Sequence, residues 1–271
     1  MSPMVKIASL AWRNGRPVET SRTVPEEMPI ALSYDFIPFG VMMATPDDLE
    51  EFAIGFSLTE GIIRSPNDLA ALEVIAQNGG YECRMMLRHG LPEAVKARRR
   101  IGAGPVGCGL CGVEQIEGAL RALPPVPAGQ PVNPHDLHAA FSRLPALQTL
   151  NTETRAVHAA AFWVPQTGEI VLREDVGRHN ALDKLAGALA KRAIPPASGV
   201  VLMTSRVSIE LVQKTAMLGA PVIAAISAPT ALAVRAAQAA GLTLIAIARS
   251  DGFELFTHPE RILTEASSHV A

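Results

Sequence analysis

Cys108 and Cys111 stand at C-x-x-C spacing inside Ile101-Gly102-Ala103-Gly104-Pro105-Val106-Gly107-Cys108-Gly109-Leu110-Cys111-Gly112, a run with five glycines. Glycine tolerates both signs of φ and loses the most entropy on ordering, so the run predicts a loop that moves rather than packs. Val113, Ile116, Leu120 and Leu123 then recur at helical spacing, which places Cys111 within about a turn of a helix N-terminus. The positive end of that helix favours the thiolate, the form of cysteine that attacks sulfur.

Two thiols at this spacing suit several chemistries. A structural zinc site needs four ligands, and the other candidates are Cys83 and the nearby His89. A thioredoxin-like redox pair sits where a strand meets a helix in a βαβ unit, whereas this pair follows an arginine-rich segment, Lys96, Arg98, Arg99 and Arg100. A thiol that carries a group needs a mobile loop and an accessible thiolate. Two cysteines of no special use are the plain alternative. The basic segment reads either as a solvated face or as an attractor of phosphates or of a sulfur anion.

The elements around this loop divide the chain. Residues 1–33 show no sustained periodicity and name no element. Ile37 to Ala44 is apolar and meets Thr45-Pro46-Asp47-Asp48, which predicts a helix with Thr45 as N-cap and with Leu49, Phe52, Ala53 and Phe56 on its buried face. Asn78-Gly79 between apolar runs predicts a hairpin. Pro124 to Pro131 reads as a stiff linker. The expected organisation is a mixed N-terminal part over 1–123, a linker over 124–134, and an α/β part over 135–271.

The last part is the more regular. Ala159 to Val164 and Glu169 to Arg173 predict a hairpin, and a helix starts at Asn180. Short aliphatic strands (Val200 to Met203, Val222 to Ile226, Leu242 to Ala248) alternate with helices over about Ser208 to Leu218 and Pro229 to Ala240. That pattern predicts an α/β fold with a parallel sheet covered on both faces. Such sheets bind ligands at the carboxyl ends of their strands. Three polar groups fall there: Thr204-Ser205-Arg206, Ser227-Ala228-Pro229-Thr230 and Arg249-Ser250-Asp251-Gly252. Arg206 and Arg249 would suit phosphates, although serine and threonine at such places also serve as helix caps. The densest polar run, Arg173-Glu174-Asp175-Val176-Gly177-Arg178-His179-Asn180, offers three acid, base or ligand groups and two arginines. His179 is either a site residue or a hydrogen bonder at a helix start, and His158 reads as structural.

Composition bounds the function. The 271 residues are 48% hydrophobic with a formal charge of −2 and two tryptophans and two tyrosines, which argues against a general nucleic-acid binder. No G-x-G-x-x-G or Walker A run supports a dinucleotide oxidoreductase or a phosphate-loop NTPase. The uncharged stretch from Thr215 to Val234 has the length of a membrane span, but Pro221 and Pro229 divide it into helix, strand and helix. With three cysteines and no secretory pattern at residues 1–6, the expected location is the cytoplasm.

Arg173-Glu174-Asp175-Val176-Gly177-Arg178-His179-Asn180-Ala181-Leu182-Asp183-Lys184 resembles the signature of the formate dehydrogenase accessory sulfurtransferase family, FdhD. The similarity includes Thr45-Pro46-Asp47-Asp48-Leu49-Glu50, Glu60-Gly61-Ile62-Ile63, Cys108-Gly109-Leu110-Cys111-Gly112, Ser205-Arg206-Val207-Ser208-Ile209-Glu210, Ser227-Ala228-Pro229-Thr230 and Thr257-His258-Pro259-Glu260-Arg261. The chain departs from many relatives at Arg155-Ala156-Val157, where they have two glycines before the histidine matched by His158, and at Thr204-Ser205-Arg206, where they have Ser-Gly-Arg. The resemblance implies a cytidine-deaminase-like fold, with helices on both faces of the sheet, and a homodimer. It implies a sulfur carrier that takes sulfur from a cysteine desulfurase and passes it to a molybdenum bis(molybdopterin guanine dinucleotide) cofactor destined for formate dehydrogenase. By position it places the persulfide on Cys108 and the cofactor on the loop Ile247-Ala248-Arg249-Ser250-Asp251-Gly252; Cys111 is read as assisting release, and Arg206, Ser227 and His179 as further cofactor contacts at the sheet edge. No H-x-E followed by P-C-x-x-C is present, so zinc deaminase chemistry is not expected.

Overall fold

Asn14 and Gly15 both take positive φ, 51° and 74°, the mirror-image turn that an Asn-Gly pair favours. They join β1 (Met4–Arg13) to β2 (Arg16–Pro25) in an antiparallel hairpin. The computed structural model describes residues 2–96 and 123–263. Residues 1–33, expected to carry no nameable element, thus hold two strands and most of a third. The hairpin exposes both of its faces, so its sequence lacks the alternation by which a half-buried strand is recognised.

A second sheet follows. β3 (Met28–Tyr34), β4 (Ile37–Ala44), β5 (Leu69–Gln77) and β6 (Gly80–Leu87) pair in the order β4-β3-β6-β5. The expected Asn78-Gly79 turn joins β5 to β6, with Gly79 at φ 83°. α1 (Leu49–Thr59) covers the sheet. Its Phe52, Ala53 and Phe56 pack with Ile30, Leu32, Tyr34, Met42 and Met85 into an N-terminal core. The helix starts one turn later than predicted, with Asp48 rather than Thr45 before it, because Thr45 is fully buried and bonds to another part of the chain. A short helix, α2 (Glu93–Lys96), follows.

The proline-rich stretch after residue 123 is fastened down by Val126 N–H donating to Ala240 O (3.0 Å) and Val132 N–H to Arg261 O (2.8 Å). α3 (Pro134–Leu147), capped by the Asn133 side chain, and α4 (Thr149–Thr154) lead into β7 (His158–Val164) and β8 (Glu169–Asp175). Then come α5 (Arg178–Lys191), β9 (Val200–Met203), α6 (Ile209–Leu218), β10 (Val222–Ala225), α7 (Ala231–Ala240), β11 (Thr243–Arg249) and β12 (Gly252–Thr257). The uncharged stretch over 215–234 is helix, strand and helix, and no described helix is long and apolar enough to cross a membrane.

These strands form one sheet in the order β12-β11-β10-β9-β7-β8. β9, β10 and β11 are parallel as expected, but β7, β8 and β12 run antiparallel to their neighbours. The sheet is mixed because the β7–β8 and β11–β12 connections are short turns, which join only antiparallel strands. Alternate side chains enter two cores. Phe162, Val201, Met203 and Ile223 meet α5, α6 and α7, while Trp163, Val200, Leu202 and Val222 meet α3.

The two halves are joined where α1 crosses α5. A Cβ on Gly55 would lie 1.7 Å from Asp183 O, and one on Gly187 would lie 1.9 Å from Glu51 O. Only glycine lets the two backbones come this close.

Candidate functional site

β8, β9, β10 and β11 end on one edge of the large sheet, and antiparallel β7 begins there. α5, α6 and α7 therefore all start at that edge. The Thr230 hydroxyl caps α7 by accepting from Ala233 N–H (3.2 Å), whereas Gly177 before α5 and Ser208 before α6 supply no side-chain cap. Uncapped amides at helix starts are donors for an anion. The loops hold one another: Thr230 N–H donates to Val207 O (3.0 Å), Val207 N–H to Ala228 O (3.2 Å), and Ile247 N–H to Ser227 O (3.3 Å).

The structure brings Arg206, Ser227 and the stretch from Ile247 to Gly252 to this edge. Arg206 and Arg249 are exposed and Ser227 is half-buried. Ile247, at φ 54°, occupies a bulge in which Ile247 and Ala248 face one residue of β12. A β-branched residue in the left-handed region costs on the order of 1–3 kcal/mol, and such strain concentrates at functional sites. Past the bulge Arg249 pairs with Gly252, and Ser250 and Asp251 form the tight turn between β11 and β12. That turn is held at Ser250 O by His138 Nε2 at 3.1 Å, and Gly252 closes it at φ 146°. His179 is 3% exposed, with Nε2 3.4 Å from Ser208 Oγ and 3.9 Å from Glu210 Oε2. It thus links the starts of α5 and α6.

Most of the polar run that looked like a site proves to be a seam between the halves. Asp175 is fully buried. Its Oδ2 accepts from Thr45 N–H (3.0 Å) and meets Lys184 Nζ at 2.8 Å, while its Oδ1 accepts from Gly177 N–H and Asn180 Nδ2. Glu174 accepts from the Leu150 and Asn151 amides at the start of α4. Arg173 pairs with Glu51 on α1 and with Asp48. One turn further along α5, Asp183 receives two hydrogen bonds from Lys214 Nζ (2.9 and 3.0 Å), and Lys214 also donates to Thr59. Only Arg178 and His179 of the run remain at the edge.

His158, read from sequence as structural, also lies at this edge. Burial, and then the nearby Arg178 cation, hold its imidazole below the usual range. His138 and Arg178 join the site as residues the sequence did not single out. His138 gave no signal, since it contacts a loop more than 100 residues away. Arg178 stood inside the polar run with nothing to separate it from Arg173.

Cys108, Cys111, the glycine run 101–112, Arg98 to Arg100 and the helix predicted from Val113 lie outside the described residues. Cys83 is buried in the N-terminal core, with its thiol directed at Leu49 O and its pKa pushed up to about 12 by burial. It is a packing residue.

Residues 25–263 match the model of the FdhD/NarQ family. The sulfur carrier protein FdhD of Agrobacterium fabrum is 52% identical over 259 residues, which cover 95% of this chain and 96% of that protein. That of Brucella abortus is 51% identical over 255 residues, covering 94% and 95%. That of Cupriavidus necator is 46% identical over 257 residues, covering 94% and 89%. A crystal structure from Desulfotalea psychrophila, described as a formate dehydrogenase accessory protein, superposes with a TM-score of 0.76 at 25% identity, over 97% of this chain and all of that one. With the family model matching nearly nine-tenths of its length and relatives this similar end to end, the chain belongs to the FdhD/NarQ family.

Proposed function

We propose that this protein is a sulfurtransferase: a sulfur carrier that serves formate dehydrogenase maturation in the cytoplasm, working as a homodimer. The supporting observation is its membership of a family whose similar relatives are named sulfur carrier proteins, together with a C-x-x-C pair in a glycine-rich run. The donor is a cysteine desulfurase carrying a persulfide. The Cys108 thiolate attacks the outer sulfur of that persulfide, the donor's cysteine leaves as a thiolate, and Cys108 now bears the sulfur. Attack by the Cys111 thiolate on the Cys108 sulfur then expels hydrosulfide to the acceptor. The resulting Cys108–Cys111 disulfide is returned to two thiols by a cellular dithiol.

The acceptor is the molybdenum bis(molybdopterin guanine dinucleotide) cofactor, bound as a substrate. The sheet edge fits a phosphate-bearing molecule, since it presents two uncapped helix starts and the arginines of three turns. Arg206, Ser227, His179 and the turn Ile247–Gly252 are the contacts assigned to it.

Replacing Cys108 by alanine in a host lacking its own copy tests the reading. A carrier so altered leaves formate dehydrogenase inactive while the dehydrogenase protein accumulates normally. Full activity would instead mark a module that only shelters the cofactor.

A further inference from the structure

Arg178 makes no hydrogen bond or ion pair with any described residue, and its Nε is buried without a partner. Its neighbours in the chain show that this is not a shortage of carboxylates. Asp175 has both oxygens engaged by Thr45, Lys184, Gly177 and Asn180, and Glu174 is spent on two amides of α4. Arg173, five residues earlier, has two carboxylates to itself. Arg178 opens α5, where the first turn holds no acidic residue and Gly177 supplies no cap. A cation at the positive end of a helix is unfavourable, and a buried N–H without a partner adds the loss of its water. Arg178 also stands close enough to His158 to oppose its protonation. Among the described residues, no carboxylate pairs with the Arg178 guanidinium at this point of the edge.

The sheet order fixes where that point lies. Arg249 ends β11 and Arg178 follows β8, and β10, β9 and β7 lie between. Four strand spacings separate the ends of β8 and β11 by about 19 Å along the edge, so the two turns stand toward opposite ends of it. We propose that Arg178 binds a second phosphate group of the substrate, distinct from one held at Arg249, so that the edge grips an elongated ligand with two anionic ends. This rests on the proposed function for the identity of the ligand, a molecule with two nucleotide arms. The phosphate site at Arg178 itself rests on the geometry alone.

The test is calorimetric titration of the full-length protein with guanosine diphosphate and with inorganic pyrophosphate, using the parent, Arg178→Ala, Arg178→Lys and Arg249→Ala. The parent is expected to bind two guanosine diphosphates per chain. Arg178→Ala should weaken one site roughly ten- to hundred-fold and leave the other unchanged, and Arg249→Ala should weaken the complementary one. Arg178→Lys keeps the charge without the fork and should fall between. Without ligand, Arg178→Ala should melt no lower than the parent, because the side chain it removes has no hydrogen-bond or ion-pair partner among the described residues. Parent stoichiometry and affinity for both probes in Arg178→Ala would overturn the assignment while leaving the carrier reading intact. Arg178-dependent binding of pyrophosphate, with no binding of guanosine diphosphate, would sustain the phosphate site and remove the nucleotide reading.

Discussion

Asp175 and Lys184 meet at 2.8 Å with neither side chain exposed, and each also bonds Thr45, 130 and 139 positions earlier. The pair staples the segment before α1 to the start of α5. Removing one partner leaves a buried charge without compensation, so Lys184→Ala should lose about 3–5 kcal/mol in urea unfolding. A loss below about 1 kcal/mol would show that the seam relaxes or admits water.

The α1–α5 crossing gives a second prediction that reverses an ordinary expectation. Alanine in place of a mid-helix glycine normally stabilises by up to about 1 kcal/mol. At Gly55 and Gly187 the new methyl would meet the backbone of the facing helix at under 2 Å, and backbone cannot step aside as a side-chain tip can. Each of Gly55→Ala and Gly187→Ala should destabilise by about 1–3 kcal/mol or more. Stabilisation in either variant would mean that the helices do not touch there.

These two relationships show what the sequence could and could not disclose. The alternation of aliphatic strands and helices after residue 158 was readable because each element buries a face, and the edge where Arg206, Ser227 and Arg249 gather follows from parallel β9, β10 and β11 alone. Glu174 and Asp175 looked like chemistry because buried charges and site charges are the same residue types. The partners of Asp175, and of Asp183 on the same seam, include Thr45, Thr59 and Lys214, at distances in sequence that no local pattern encodes. The hairpin β1–β2 carried a readable Asn14-Gly15 signal, but its flanking strands face solvent on both sides and show no period. The antiparallel β12 depends on the bulge at Ile247, where an isoleucine holds a backbone angle usually left to glycine.

His158 predicts a pH dependence of stability. Its folded pKa lies below the 6.5 of the free side chain, through burial first and Arg178 second. The unfolded chain therefore takes up the proton first as pH falls. The stability present above pH 6.5 should decline as pH drops through that value, and level off once the folded state is also protonated. Thermal unfolding of His158→Gln should lack this part of the profile, and an unchanged profile would place the imidazole in water.

Sulfur carriage itself is measured most directly by peptide mass spectrometry after incubating the reduced protein with a cysteine desulfurase and cysteine. The account predicts a single added sulfur atom on the peptide containing Cys108, lost on treatment with a thiol reductant. It predicts none on Cys83, whose buried thiol with a pKa near 12 holds almost no thiolate at neutral pH. Absence of added sulfur from Cys108 and Cys111, under conditions where the desulfurase forms its own persulfide, would contradict the account.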